Sequence, residues 1–194
     1  MSSLKEIQAL QLQSEKVFDY FEEICAIPHG SRNTKAISDY LVAFAKKHDL
    51  TWYQDESNNV VIVQEATAGY EQADTIILQG HMDMVCEKES GCAIDFEKDG
   101  LDLYVDGDFL KARGTTLGGD DGIAVAYAMA LIADRTIPHP PLEVIITVDE
   151  EVGMLGADVI DVSMLKGRKM INLDSEDEGI FTVACAGGAT ATIS

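Results

Sequence analysis

The chain contains an almost continuous apolar run, Leu142-Glu143-Val144-Ile145-Ile146-Thr147-Val148, which leads directly into Asp149-Glu150-Glu151. Apolar residues that follow one another without alternation are typical of a strand buried on both faces of a parallel sheet. Two more apolar runs, 75–79 and 169–173, have a similar character, with helical patterns between the runs. Strands that alternate with helices predict an α/β fold, with a central sheet largely parallel in its centre and flanked by helices.

Outside these runs, apolar periodicity and turn residues predict the remaining elements. Helices are expected from Ser14 to Cys25, from Asn33 or Thr34 to His48, over Gly122–Ala133 and around Gly156–Leu165. Additional strands are expected at 50–54 and 60–64, together with a hairpin over 103–110 around an Asp-Gly turn.

Composition and charge exclude several classes of function. The 194 residues carry 14 Lys and Arg against 34 Asp and Glu, a formal net charge of −20, so we expect neither a nucleic-acid partner nor an anionic membrane partner. The first residues lack a signal-peptide pattern, and no run approaches the roughly 20 apolar residues of a membrane span. The four cysteines form no C-x-x-C pair, which favours reduced thiols in a cytoplasmic protein.

Each of the three apolar runs ends at residues able to bind a metal ion. His81 and Asp83 follow the first run, Glu150-Glu151 the second and Asp174 the third, while a glycine-rich turn presents Asp120. Because the carboxyl ends of parallel strands open into a common crevice, these side chains are expected to converge. One imidazole with several carboxylates suits zinc, cobalt or manganese.

Each of these residues also has a simpler interpretation. A histidine after a strand is more often hydrogen-bonded than metal-bound, Glu150-Glu151 resembles a solvated loop, and Asp120-Asp121 could cap the following helix. Taken together these alternatives weaken, because all three runs end in the same chemistry and clustered like charges require a compensating cation.

Longer strings resemble a known family. His81-Met82-Asp83-Met84-Val85, the segment ARGTTLGGD at 112–120, and Cys185-Ala186-Gly187-Gly188 resemble the two-zinc peptidases related to aminoacylase and carboxypeptidase G. They are most similar to the dipeptidase branch that acts on aminoacyl-histidine. The resemblance covers nearly the whole chain. It implies a metal-dependent hydrolase of Xaa-His and other unhindered dipeptides, which uses water activated by two divalent metal ions, zinc, or alternatively cobalt or manganese.

The same resemblance implies a role for each site residue. Asp120 would bridge two metal ions, His81 and Asp174 would complete the ligands of one, and Glu151 would serve the other. Glu150 would be the general base.

Two further expectations follow from the resemblance. Asp83 would orient His81 by accepting the imidazole N–H that faces away from the metal. The peptide bond between Asp120 and Asp121 would be cis.

The resemblance also bears on domain organisation. Residues 1–194 would form the N-terminal segment of the catalytic domain, without the lid domain through which the full-length protein would form a homodimer. A later segment with a final histidine ligand would also be absent, since no histidine follows His139. We therefore expect this chain alone to bind at most one metal ion firmly, to expose an apolar face and to hydrolyse dipeptides negligibly. The alternatives are a non-catalytic truncated fragment and a related amide hydrolase such as a deacylase.

Overall fold

The computed structural model describes residues 14–175, 179–184 and 187. The Cys185-Ala186-Gly187-Gly188 string, apart from Gly187, and the N-terminal segment before Ser14 lie outside this range. Within it, the helices are α1 (Glu15–Cys25), α2 (Lys35–Lys47), α3 (Gly119–Ala133) and α4 (Leu155–Val159). The strands are β1 (Thr51–Gln54), β2 (Val60–Gln64), β3 (Ile76–His81), β4 (Leu103–Asp106), β5 (Phe109–Ala112), β6 (Leu142–Thr147) and β7 (Lys169–Asn172).

Five strands form one sheet in the order β1-β2-β6-β3-β7. Strands β6, β3 and β7 run parallel, and β2 and β1 extend the sheet in antiparallel pairing. The predicted α/β fold with a sheet that is parallel in its centre is therefore confirmed. Strands β4 and β5 form a separate antiparallel hairpin, as the Asp-Gly turn predicts.

The core lies mainly between the sheet and the first three helices. All six residues of β6 are buried, as expected for a strand covered on both faces. On one face the strands pack against α1, α2 and α3 in a single large cluster. On the other face Val61, Ile77 and Ile145 form a smaller cluster with Ile160 and Leu165. In the described part of the chain, no helix is long and apolar enough to cross a membrane.

The expected helix around Gly156–Leu165 is wrong in its extent. Helix α4 ends at Val159, and Ile160 has extended backbone dihedral angles. The side chain of Asp161 accepts a hydrogen bond from the Ser163 backbone N–H at 2.8 Å, a local bond that competes with helical pairing. The extended segment lets Ile160 and Leu165 both cover the second face of the sheet.

Candidate metal centre

The parallel pairing of β3 and β6 brings the first two parts of the site together. His81 is the last residue of β3 and pairs in register with Thr147 at the end of β6, so the loop that carries Glu150 and Glu151 begins beside it. Gly118 has φ +68° in the left-handed region, a conformation that favours glycine. This turn directs the start of α3, and with it Asp120, toward His81.

Three candidate ligands lie close enough to share one cation. One ligand atom each from His81, Asp120 and Glu151 lies within 4.8 Å of the other two. His81 Nε2 is 3.1 Å from Asp120 Oδ1 and 3.9 Å from Glu150 Oε2. The imidazole is buried, whereas the Asp120 side chain is 65% exposed. The group therefore has a buried nitrogen at its base and carboxylates on its open side.

The orientation of His81 is set mainly by the backbone. Its Nδ1 lies 2.9 Å from the main-chain oxygen of Asp83. Because a carbonyl only accepts, Nδ1 carries the hydrogen, and Nε2 faces Asp120. The Asp83 carboxylate is farther from Nδ1, at 3.5 Å. It accepts hydrogen bonds from the Ser31 hydroxyl at 2.8 Å and the Glu150 backbone N–H at 3.0 Å. Asp83 thus connects three segments of the site, and the expected imidazole contact is made chiefly by its main chain.

The electrostatics of the site indicate an excess of negative charge. Burial favours the neutral form of His81, but hydrogen bonding to Asp83 and the charges of Asp121 and Asp83 outweigh it and raise its pKa to about 9. Burial, together with the charges of Asp174 and other nearby carboxylates, raises the pKa of Glu150. Carboxylates crowded in this way are stabilised by an added cation.

Asp121 is a site residue that the sequence analysis did not single out. It is buried, and its Oδ2 accepts the His81 backbone N–H at 3.1 Å. Burial is the largest influence on its carboxyl and raises its pKa to about 7. A Cβ atom on Gly80 would lie 2.6 Å from this oxygen, so glycine is required there for the contact. Two adjacent acids were the available signal, but the sequence pattern does not tell which of them is buried.

The peptide bond between Asp120 and Asp121 is cis, as the resemblance implied. Both residues have non-helical backbone angles, and they face different surroundings. Asp121 points into the protein and Asp120 toward solvent.

Asp174 lies near the centre without joining the group of three. It follows β7, where the Leu173 N–H still donates to the Gln79 oxygen at 3.0 Å. Its side chain is exposed, and its charge contributes to the raised pKa values of Glu150 and Asp121. All the residues chosen from the sequence therefore lie at one end of the sheet, with Asp174 at the margin.

The donor set fits a divalent metal ion. An imidazole nitrogen and carboxylate oxygens are the ligands that zinc uses in catalytic sites, and their atoms are already gathered here. The family model described as "Peptidase family M20/M25/M40" matches residues 77–184, which include every one of these side chains. The chain belongs to this peptidase family.

Individual relatives agree with this assignment. The chain is 43% identical over 178 residues to the cytosol non-specific dipeptidase of Escherichia coli, a match covering 92% of the chain and 37% of that protein. The crystal structure of aminoacylhistidine dipeptidase from Vibrio alginolyticus superposes with a TM-score of 0.84 at 40% identity, covering 87% of this chain and 34% of that one. A tripeptidase from Staphylococcus aureus, 21% identical with a TM-score of 0.71 over 86% of this chain and 44% of that one, shares the fold.

The M20 assignment confirms the resemblance drawn from the sequence strings. Members of the family are metallopeptidases, in agreement with the ligand group at His81. The chain spans about a third of the length of the two dipeptidase relatives it matches. The individual residue roles, the number and identity of the metal ions, and the lid domain stay predictions.

Asn59 is a buried residue that holds the loop of the M20 site. No sequence pattern indicates this role. Its fully buried side chain accepts the Val148 N–H at 3.0 Å and donates to the Gly156 oxygen at 3.0 Å. A further bond joins it to the Asp55 carboxylate at 2.8 Å. Asn59 thereby fixes both ends of the 148–156 loop, which carries Glu150 and Glu151.

Proposed function

We propose that this protein hydrolyses dipeptides, including Xaa-His and other unhindered dipeptides, in a metal-dependent reaction. One observation carries the proposal: ligand atoms of His81, Asp120 and Glu151 lie within 4.8 Å of one another, with the Glu150 carboxylate beside them. The names of the Escherichia coli and Vibrio relatives support a dipeptide substrate. The word "cytosol" in the first name supports a cytoplasmic location.

His81, Asp120, Glu151 and Asp174 would hold two divalent metal ions, which we propose to be zinc, with Asp120 between them. Asp120 suits a bridging role because its exposed carboxylate leaves a second oxygen for another ion. When bound, such ions polarise the scissile carbonyl and make water a stronger nucleophile at neutral pH.

Glu150 is the proposed general base. Its Oε2 lies on the same side of the imidazole as Asp120, so it can take a proton from water at the metal centre and deliver it to the leaving amine. A carboxylate suits both halves of this transfer, because it can accept a proton from water and then return it to the amine. Asp83 holds the Glu150 backbone through its carboxylate and the His81 ring through its main-chain oxygen.

Replacement of Glu150 tests the function directly in the intact gene product. Glu150→Gln should lower kcat for Gly-His by about 10²–10⁴-fold and leave the bound metal content nearly unchanged, because Glu150 is not a proposed ligand. Glu56→Gln removes the same charge at an exposed turn position that is not a candidate site residue, and it is the matched control. Near wild-type turnover in Glu150→Gln would contradict the base assignment. Faster hydrolysis of N-acyl amino acids than of dipeptides would contradict the dipeptidase proposal.

The relatives' greater length supports a second part of the proposal. We propose that further ligands and a lid domain, through which the whole protein forms a homodimer, lie outside the 194 residues. Zinc titration of this chain should then give at most one firm site, with negligible dipeptide hydrolysis. Two tight sites together with rapid turnover would show that no further segment is needed.

A further inference from the structure

A cleft opens beside the candidate metal centre. It has a volume of about 290 Å³, near the lower end of the range for small-molecule sites. Gly30, Ser31 and Glu151 are among the residues that line it. Since Glu151 is also one of the three grouped ligands, the cleft and the metal centre are continuous.

Contacts to the main chain hold the walls of the cleft in place. Met84 pairs with Gly30 through an isolated parallel bridge. Thr116 accepts a hydrogen bond from the Glu87 N–H at 3.2 Å and donates to the Val85 oxygen at 2.6 Å. Because the wall is formed before any ligand binds, ligand binding need not order it.

The lining of the cleft is acidic and apolar. Glu87 and Glu97 stand with Glu151 among side chains that include Met84 and Phe96, and none of the ten described lining residues is basic. The carboxylates of Glu87 and Glu97 are both close enough to the Cys86 thiol to influence it electrostatically. After burial, their charges are the causes that raise the pKa of the Cys86 thiol.

These properties distinguish the two ends of a dipeptide. An acidic cleft repels the terminal carboxylate and attracts the terminal ammonium group, so the N-terminal residue faces the cleft. The methylene groups of a long cationic side chain can cover Met84 and Phe96 while its charged end approaches Glu87 or Glu97.

We propose that this cleft holds the N-terminal residue of the dipeptide, and that Glu87 and Glu97 select cationic side chains at that position. The inference rests on the proposed dipeptidase function. It adds a substrate preference that the metal centre itself does not impose.

Substrate selectivity in the intact, metal-loaded gene product tests the proposal. Wild-type kcat/KM should be higher for Lys-Gly than for Glu-Gly. Glu87→Gln and Glu97→Gln should each lower the ratio of the Lys-Gly value to the Leu-Gly value by about two- to fivefold, the range for exposed ion pairs. Glu89→Gln removes the same charge outside the cleft lining and should leave all three values unchanged. If the ratio of kcat/KM for Lys-Gly to kcat/KM for Glu-Gly were the same in the wild type and in both cleft variants, the proposal would be overturned.

A binding measurement separates this proposal from the proposed function. Cys86 lines the cleft and Cys92 does not, yet both are partly buried. L-lysinamide should slow alkylation of Cys86 by N-ethylmaleimide more than L-norleucinamide does, and it should leave Cys92 unaffected. Glu97→Gln should reduce this protection. If no dipeptide is hydrolysed, the proposed dipeptidase function is contradicted. Protection of Cys86 still tests whether the cleft binds cationic side chains. Equal protection by the two amides would overturn the selection of cationic side chains.

Discussion

Asn59→Ala should destabilise the protein by removing the support of the 148–156 loop. The substitution leaves the buried Val148 N–H without the acceptor that it has at 3.0 Å. The Gly156 oxygen keeps one partner, the Ile160 N–H at 3.1 Å, so only the loss at Val148 leaves a group fully unpaired. An unpaired buried donor costs about 1–3 kcal/mol. With the lost bond to Asp55 and the missing side-chain volume, we expect the free energy of unfolding to fall by about 2–4 kcal/mol.

Urea unfolding followed by circular dichroism measures this change, and zinc affinity provides the functional measurement. Zinc binding should weaken as well, because Glu151 lies in the loop that Asn59 holds. Glu56→Ala changes an exposed residue in the same turn and should shift stability by less than about 0.5 kcal/mol. If Asn59→Ala unfolded at the same urea concentration as the wild type, the loop would not depend on this side chain.

Two further predictions concern single sites. Burial raises the pKa of Cys25 to about 12, so the protonated thiol dominates below that pH. In the folded protein, iodoacetamide at pH 8 should therefore alkylate Cys86 and Cys92 but not Cys25. Equal labelling of the three thiols by peptide mass spectrometry would refute this. Gly118→Ala places a Cβ atom 2.8 Å from Met84 Sδ at a residue with φ +68°. The free energy of unfolding should fall by about 1–2 kcal/mol, which lowers the melting temperature, and zinc binding should weaken. An unchanged melting temperature and zinc affinity would contradict this prediction.

The sequence predicts those features that depend on local pattern. The unbroken apolar run at 142–148 indicates a strand buried on both faces, and all of Leu142–Thr147 is buried. The Asp-Gly pair predicts the hairpin that joins Leu103–Asp106 to Phe109–Ala112. Parallel strands that end in His81 and in the Glu150-Glu151 loop predict the convergence of their side chains, because strand direction alone places them at one edge.

Features that depend on tertiary contacts could not be predicted. The burial of Asp121 depends on the space over Gly80, which no local pattern encodes. Asn59 acts on a loop distant in the sequence. The local bond between Asp161 and Ser163 and the packing of Ile160 against the sheet both accompany the end of α4 at Val159, and the packing is the part that the composition of 156–165 does not reveal.

The pairing of β3 with β6 has a consequence for the order of folding. Helix α2 and the hairpin of β1 and β2 join neighbours in the sequence, whereas Ile76 must find Leu142 across a long intervening chain. Contacts between distant segments carry the larger loop-closure entropy and form more slowly. His81 and Glu151 lie on opposite sides of this late pairing, so the metal centre is assembled only when the sheet closes. The absorption spectrum of bound cobalt would therefore report the completion of folding.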